Sequence, residues 1–253
     1  MEIILINLKI NMKIHKLLIV ILFLSIGCGE QTRTAYFVNV DCSNSTSREF
    51  IRESYKSDFR KVLNKADEGD VIAIDRISSN SFSTSDPLIL KLPQYSIFGS
   101  NRDMFNKIID SLKKDFANKS EKYFANPEFT QTDIINSLSR SSVYLRRNEL
   151  SEFRKIIILF SDMIQETEEL NLNEYPEDEK QINKLISKLE KDDKILNLDS
   201  IEVYSSGATY SALDEKKISI NQTKQTKEFW VLYFEKCKMK FRDEMYQARL
   251  GDL

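Results

Sequence analysis

Histidine is almost absent from this sequence. Its 253 residues include one histidine, His15, which lies in an N-terminal segment that we interpret below as a secretion signal. The rest of the chain therefore has no Ser-His-Asp triad, no Cys-His pair and no zinc site of the usual histidine-containing kind. We therefore expect none of these catalytic sites, and no enzyme.

Cysteine is also scarce. The three cysteines are Cys28, Cys42 and Cys237, which are too few for a scaffold held together by several disulfides. Cys28 ends the N-terminal segment. Nothing in the local sequence decides whether Cys42 and Cys237 pair with each other.

Neither sign of charge is in excess. The chain has 37 lysines and arginines against 39 aspartates and glutamates, which gives a formal net charge of −2. Nucleic-acid-binding domains carry a concentrated basic surface. We therefore expect no nucleic-acid partner.

The first 27 residues have the composition of a secretory signal. Lys13 and Lys16 precede the apolar residues 17–24, and small residues follow before Cys28. Met12 is an alternative start of translation. A single transmembrane anchor is the other interpretation of this segment, but the apolar run is shorter than the ~20 residues that a spanning helix needs.

The segment LSIGC, which ends at Cys28, resembles the lipobox of bacterial lipoproteins. This resemblance implies that residues 1–27 are removed and that Cys28 is lipid-modified. Residues 28–34 would then be a short tether, and residues 35–253 the folded domain. The implied location is the bacterial cell envelope, anchored to a membrane and facing either the periplasm or the cell surface. At ~3.5 Å per residue the tether reaches about 20 Å, so the domain would lie close to the bilayer.

Strand-like and helix-like patterns alternate along the rest of the chain. Predicted strands are YFVNV, GDVIAIDRI, DPLILKLP, RKIIILFSD and IEVYSSG, and predicted helices cover about 47–66, 102–116, 132–147, 177–193 and 226–241. Five consecutive apolar residues, 156–160, indicate a strand buried on both faces, as in the middle of a parallel sheet. Pro87 and Pro93 place DPLILKLP at an edge. This alternation predicts an α/β fold, a three-layer sandwich with a mostly parallel central sheet flanked by helices.

Oxygen-bearing side chains follow two of the predicted strands. Asp41, Ser43 and Ser45 form D-x-S-x-S after the first strand, and Asp162 ends KIIILFSD. In an extended turn every second side chain points to the same side, and in such sheets ligands bind where strands end. Thr132 opens a predicted helix and adds a third hydroxyl. Hard oxygen ligands of this kind suit Mg²⁺ first, with Mn²⁺ or Ca²⁺ as alternatives.

These residues, in this order, resemble the metal-ion-dependent adhesion site of von Willebrand factor A domains. The resemblance covers about 34–240. It implies that Ser43 and Ser45 bind the cation directly, and that Thr132, Asp41 and Asp162 bind it directly or through water. It also implies a protein partner that completes the metal shell with an acidic residue.

Three residues depart from the family pattern. Thr130 and Gln131 replace the glycines that usually precede the threonine, and Met163 replaces the glycine that often follows the aspartate. Asp133 and Ser161 are candidate neighbours of the ligands, although capping or solvent-facing roles are favoured for both.

Two alternatives remain open from the sequence. The first is a structural envelope lipoprotein with a degenerate site, in which Thr132 is only an N-cap, Asp162 only a cap, and Ser43 and Ser45 only turn residues that satisfy backbone donors at the start of the first helix. Cys42 and Arg48 have the Cys-x5-Arg spacing of a cysteine phosphatase, with Asp86 as its general acid. However, Asp41 opposes the lowered thiol pKa that such a nucleophile needs.

Overall fold

The computed structural model describes residues 32–78, 86–95, 101–125, 131–173, 178–208, 220–239 and 242–253, without the side chains of 220–222. The predicted signal, the lipidated Cys28 and residues 29–31 of the tether lie outside these ranges. Within them, Arg33–Leu253 belong to a single structural unit. None of the helices in the described ranges is long and apolar enough to cross a bilayer.

Within the described ranges, six strands form one sheet in the order β3-β2-β1-β4-β5-β6. They are β1 (Thr34–Asp41), β2 (Val71–Ile77), β3 (Leu88–Lys91), β4 (Arg154–Phe160), β5 (Ile201–Ser206) and β6 (Tyr246–Gln247). Only β3 runs antiparallel to its neighbour, and it lies at an edge, as the flanking prolines predict. The sheet is therefore mostly parallel, and the carboxyl ends of β1, β2, β4 and β5 share one edge.

Among the described residues, five α-helices cover the two faces of the sheet. They are α1 (Glu49–Lys65), α2 (Arg102–Ser120), α3 (Ile134–Leu145), α4 (Glu179–Lys191) and α5 (Ile220–Lys236). Alternation along β1 sends Val38 towards α1 and α2, and Phe37 towards α3, α4 and α5. The result is the three-layer α/β sandwich that the sequence predicts.

The central strands are apolar because both of their faces are covered. Every residue of β1 is buried, and Ile156–Phe160 of β4 are completely inaccessible to solvent. Full burial of one such side chain contributes about 1.5–3 kcal/mol. These two strands are adjacent, so the best-buried part of the sheet supports the edge where Asp41 and Asp162 lie.

A buried polar contact fixes α3 on the sheet. The hydroxyl of Ser137 donates to Oδ1 of Asn39 on β1, and Nδ2 of Asn39 donates to the hydroxyl of Ser141, both at 2.8 Å. At the start of the helix, the N–H of Asp133 donates to the carbonyl of Ser78, directly after β2. The beginning of α3 is thereby held at the carboxyl edge of the sheet.

The last residues of the chain return to the same edge, which the sequence pattern does not predict. The two-residue strand β6 pairs with β5, and the buried carboxylate of Asp58 on α1 accepts hydrogen bonds from the N–H of Leu250 and the guanidinium of Arg249. The hydroxyl of Ser206, at the end of β5, donates to the same carboxylate at 2.6 Å. Asp58 thus joins α1, β5 and the C-terminal segment.

Candidate metal centre

The carboxylate of Asp41 is held where β1 and β4 end side by side. These strands pair in parallel, with Val40 opposite Phe160, so Asp41 and Ser161 occupy the same level of the sheet. Ser161 donates its hydroxyl to Oδ2 of Asp41 at 2.7 Å, and the N–H of Ser43 donates to Oδ1 at 2.9 Å. Both oxygens therefore have a fixed direction before any ion binds.

Asp162 is the second buried carboxylate of this edge. Its Oδ1 accepts a hydrogen bond from the N–H of Ile164 at 3.0 Å, whereas its Oδ2 is buried and finds no hydrogen-bond partner in the part of the chain that the structure describes. Burial, and after it the negative charge of Asp41, raise the pKa of Asp162 to about 7. Burial also raises the pKa of Asp41. Two neighbouring carboxylates that are costly to ionise are stabilised when a cation binds between them.

The two serines of D-x-S-x-S turn their hydroxyls towards each other. Their Oγ atoms are 2.9 Å apart, with Ser43 buried and Ser45 exposed. Neither acts as a helix cap, because the short 3-10 turn after Ser43 has no side-chain cap and the N-cap residue of α1 is Arg48. Both serines lie in a turn, as the alternative interpretation expects, but neither hydroxyl caps the first helix. Because Ser45 is exposed, a ligand can reach these hydroxyls from the solvent.

Thr132 is joined to the loop that follows β4. Its N–H donates to the carbonyl of Glu166 at 3.2 Å, and the N–H of Glu166 donates back at 2.8 Å, so the two residues form an antiparallel bridge. Gln165 strengthens this junction, since its Oε1 accepts from the N–H groups of Ile134 and Ile135. The structure thus brings the buried Thr132 to the segment that carries Asp162.

The N-cap of α3 is Asp133 and not Thr132. The Asp133 carboxylate accepts a hydrogen bond from the N–H of Asn136 at 3.2 Å, which confirms the capping role favoured for Asp133. For Ser161 the favoured capping or solvent-facing role is wrong, because its side chain is fully buried against Asp41. Thr132 therefore does not act as the N-cap of α3, which was the alternative role considered for it.

Met163 occupies the position after the aspartate, where the family pattern that the sequence resembles often has glycine. Its φ is +66°, in the left-handed region that favours glycine. Two contacts hold it there: its side chain is fully buried in the core, and its carbonyl accepts a hydrogen bond from Nε1 of Trp230 on α5 at 2.8 Å. Packing therefore preserves at Met163 the loop conformation that a glycine would adopt freely. Of the other departures, Thr130 lies outside the described residues.

Cys42 points away from these oxygens. It is buried in the core between the sheet, α1 and α2, and its thiol lies 3.3 Å from the carbonyl oxygen of Tyr123. The cavity beside it has a volume of about 10 Å³, which is room for no more than about one water molecule, and Arg48 is exposed. Cys237 is buried on the opposite face of the sheet, so the two cysteines do not pair with each other.

Hydroxyl oxygens are essential to this site. The described residues contain no group of three His, Cys, Asp or Glu side chains placed to hold a metal ion. Two carboxylates, Asp41 and Asp162, lie together with Ser43 and Ser45 at one edge, and Thr132 is fastened beside them. Three neighbours were missed or misjudged from the sequence: Ser161, Gln165 and Glu166. No periodicity or motif marks the last two, which act through the tertiary contact with α3.

Comparison with known proteins gives likenesses in structure only. No protein-family model matches the chain, and no curated protein matches its sequence. A crystal structure of manganese-loaded TRAP protein from Plasmodium vivax is 13% identical, with a TM-score of 0.43, over 87% of this chain and 69% of that one.

Two further structures are similar at the same low level. Proximal thread matrix protein 1 from the mussel byssus, with a zinc-occupied MIDAS motif, is 15% identical, with a TM-score of 0.31, over 69% of this chain and 35% of its own. A von Willebrand factor type A structure from Catenulispora acidiphila is 9% identical, with a TM-score of 0.36, over 81% of this chain and 43% of its own. The roles of Asp41 and its neighbours therefore rest on the geometry of this chain.

Proposed function

We propose that this chain is a membrane-anchored binding or assembly module of the von Willebrand factor A type, which holds a divalent cation and through it binds an acidic group of a partner protein. The observation that carries the proposal is the buried Oδ2 of Asp162, which has no hydrogen-bond partner among the described residues and lies in the field of a second buried carboxylate, Asp41. A buried charge without a partner is costly, and a cation offsets that cost.

The donor set fits Mg²⁺, with Mn²⁺ and Ca²⁺ as alternatives. Carboxylate and hydroxyl oxygens are the ligands that these hard cations prefer. The five candidate ligands are Asp41, Ser43, Ser45, Thr132 and Asp162. If each gives one oxygen, the octahedral shell of Mg²⁺ keeps a position for one more ligand. Ser45 is exposed, so that position would be open to a partner's carboxylate.

Residues around the candidate ligands would hold them in the orientation that binding needs. Ser161 and the N–H of Ser43 orient the carboxylate of Asp41. The hydroxyl of Thr46 donates to the carbonyls of Asp41 and Ser43, at 2.9 and 3.1 Å, and keeps the turn in shape. The bound cation would supply the electrostatic attraction for the partner's acidic group. Anchoring through Cys28 would present this edge near a membrane of the bacterial envelope.

Calorimetry on a soluble fragment of residues 29–253 tests the cation site. Titration with Mg²⁺ and Mn²⁺ should show one site, which Asp41→Asn and Ser43→Ala should abolish or weaken at least about tenfold while the far-ultraviolet circular dichroism stays unchanged. Ser47→Ala, in the same turn, is the matched control and should bind as the wild type does. A wild-type fragment that binds neither ion would support a purely structural envelope protein.

A pull-down from the native membrane tests the partner. The wild-type domain should retain a protein in Mg²⁺ and release it when EDTA is added, and Asp41→Asn should retain none. Retention in excess EDTA would rule out recognition through the cation. Radiolabelled palmitate incorporated into the wild type and lost in Cys28→Ala would establish the anchor.

A further inference from the structure

Glu166 is the bridge partner of Thr132, and this pairing sets the direction of its side chain. The two residues exchange both backbone hydrogen bonds, at 3.2 and 2.8 Å. Directly opposed residues in an antiparallel pair have Cα atoms about 5.5 Å apart and project their side chains to the same side. The carboxylate of Glu166 therefore lies on the side of the bridge that carries the hydroxyl of Thr132.

The electrostatics of the site agree with this placement. Burial is the main cause that raises the pKa of both Asp41 and Asp162, and the negative charge of Glu166 adds a smaller increase to each. Glu166 is half-buried, and these three carboxylates are not close enough together to form a metal-holding group. Its side chain thus lies near the ligands but outside their immediate shell.

We propose that Glu166 is a specificity-determining residue of this site: a fixed negative charge beside the ligands that strengthens cation binding and weakens binding of the partner's acidic group. The inference rests on the proposed function and deepens it. It assigns to the site a preference for partners whose acidic group is flanked by basic or neutral side chains, because a second acidic side chain would be repelled by Glu166.

The proposal predicts two effects of opposite sign. Removing the charge should weaken the attraction for a divalent cation and, once the cation is bound, should remove a repulsion felt by an incoming carboxylate. Loss of a merely structural contact would loosen the site and weaken both kinds of binding. The direction of the two changes therefore separates the two roles.

The test is Glu166→Gln in the 29–253 fragment, a substitution that keeps the shape of the side chain and the backbone bridge. Mn²⁺ binding is measured by calorimetry, and acetate, as the carboxylate probe, by its effect on water-proton relaxation of the Mn²⁺-loaded protein. We expect Mn²⁺ to bind about three- to tenfold more weakly and acetate to bind more tightly by a similar factor. Glu166→Asp retains the charge and should lie close to the wild type in both measurements.

Glu168→Gln is the matched control, since Glu168 is an exposed carboxylate two residues further along the same loop. It should change neither binding constant by more than about twofold. If the wild type binds Mn²⁺ and Glu166→Gln alters neither constant, or weakens both, the role of Glu166 is refuted and the proposed function stands. If the wild type binds no Mn²⁺, the proposed function is itself refuted and this inference with it.

Discussion

The hydroxyl of Ser161 lies 2.7 Å from Oδ2 of Asp41, although 120 residues separate them in the sequence. The same oxygen of Ser161 accepts a hydrogen bond from the N–H of Met163 at 3.0 Å. One buried serine therefore orients the first candidate ligand and shapes the loop that carries the second, Asp162.

Ser161→Ala should weaken Mg²⁺ binding about tenfold and destabilise the fold by about 1–3 kcal/mol, because it removes the donor to Oδ2 of Asp41 and the acceptor of the N–H of Met163. Calorimetry and urea unfolding measure the two effects. Ser120→Ala is the control, since the Ser120 hydroxyl is equally buried but donates only to the carbonyl of Phe116 within α2. Equal Mg²⁺ affinity in both variants would contradict the role of Ser161.

The stability of the cation-free protein should fall as the pH rises from about 4 to about 7. Asp162 has a pKa raised to about 7 in the folded protein, mainly by burial, against about 3.9 in an unfolded chain. Between these values the folded state binds a proton that the unfolded state lacks, so the free energy of unfolding decreases with pH and levels off above about 7, by a few kcal/mol in total.

Urea unfolding in EDTA at several pH values measures this slope. The 29–253 fragment contains no histidine, so no histidine titrates in the same window. Asp162→Asn should reduce the slope but not abolish it, because burial also raises the pKa of Asp41, Asp70 and Asp75. Mg²⁺ should stabilise the wild type more at pH 8 than at pH 5. An unchanged slope in Asp162→Asn would assign the pH dependence to other groups.

Met163→Gly should be less destabilising than Met163→Ala. Both substitutions remove a fully buried side chain, at a cost of about 2–5 kcal/mol. Only glycine adopts the left-handed φ of +66° without strain, so Met163→Gly should be about 1 kcal/mol more stable than Met163→Ala. Urea unfolding of both variants measures the difference. Equal stabilities would show that the Met163 backbone stores no strain.

Asp58→Ala should destabilise the fold by about 3–5 kcal/mol, because it leaves Arg249, the N–H of Leu250 and the hydroxyl of Ser206 without their shared acceptor. Arg249→Ala should cost about 1 kcal/mol, since that guanidinium is half-exposed. Burial acts to raise the pKa of Asp58, but these hydrogen bonds outweigh it and lower the pKa. The stabilisation should therefore be lost as the pH falls below about 4.

The fold was predictable from the sequence because its signals are local. The apolar run of 156–160 indicates a strand covered on both faces, and β4 lies inside the sheet between β1 and β5. Proline at either end places β3 at an edge. Strand β6 has no such local signal, since two residues carry no periodicity. The segment that follows it is held by Asp58, which is far away in the sequence.

The candidate site was predictable only as far as its motif reaches. D-x-S-x-S after one strand and an aspartate after another identify Asp41 and Asp162, because parallel strands end at a common edge. Ser161 and Glu166 carry no such pattern. Their contributions come from a contact across β1 and β4 and from a bridge to the start of α3, which only the folded chain displays.

The hydrogen bond from Trp230 to the carbonyl of Met163 places the chain's one indole next to the residue that follows Asp162. Any shift of that loop when an ion arrives would alter the indole's environment and so its fluorescence. The protein therefore carries a built-in optical reporter, which would allow ion occupancy to be followed in real time without a label.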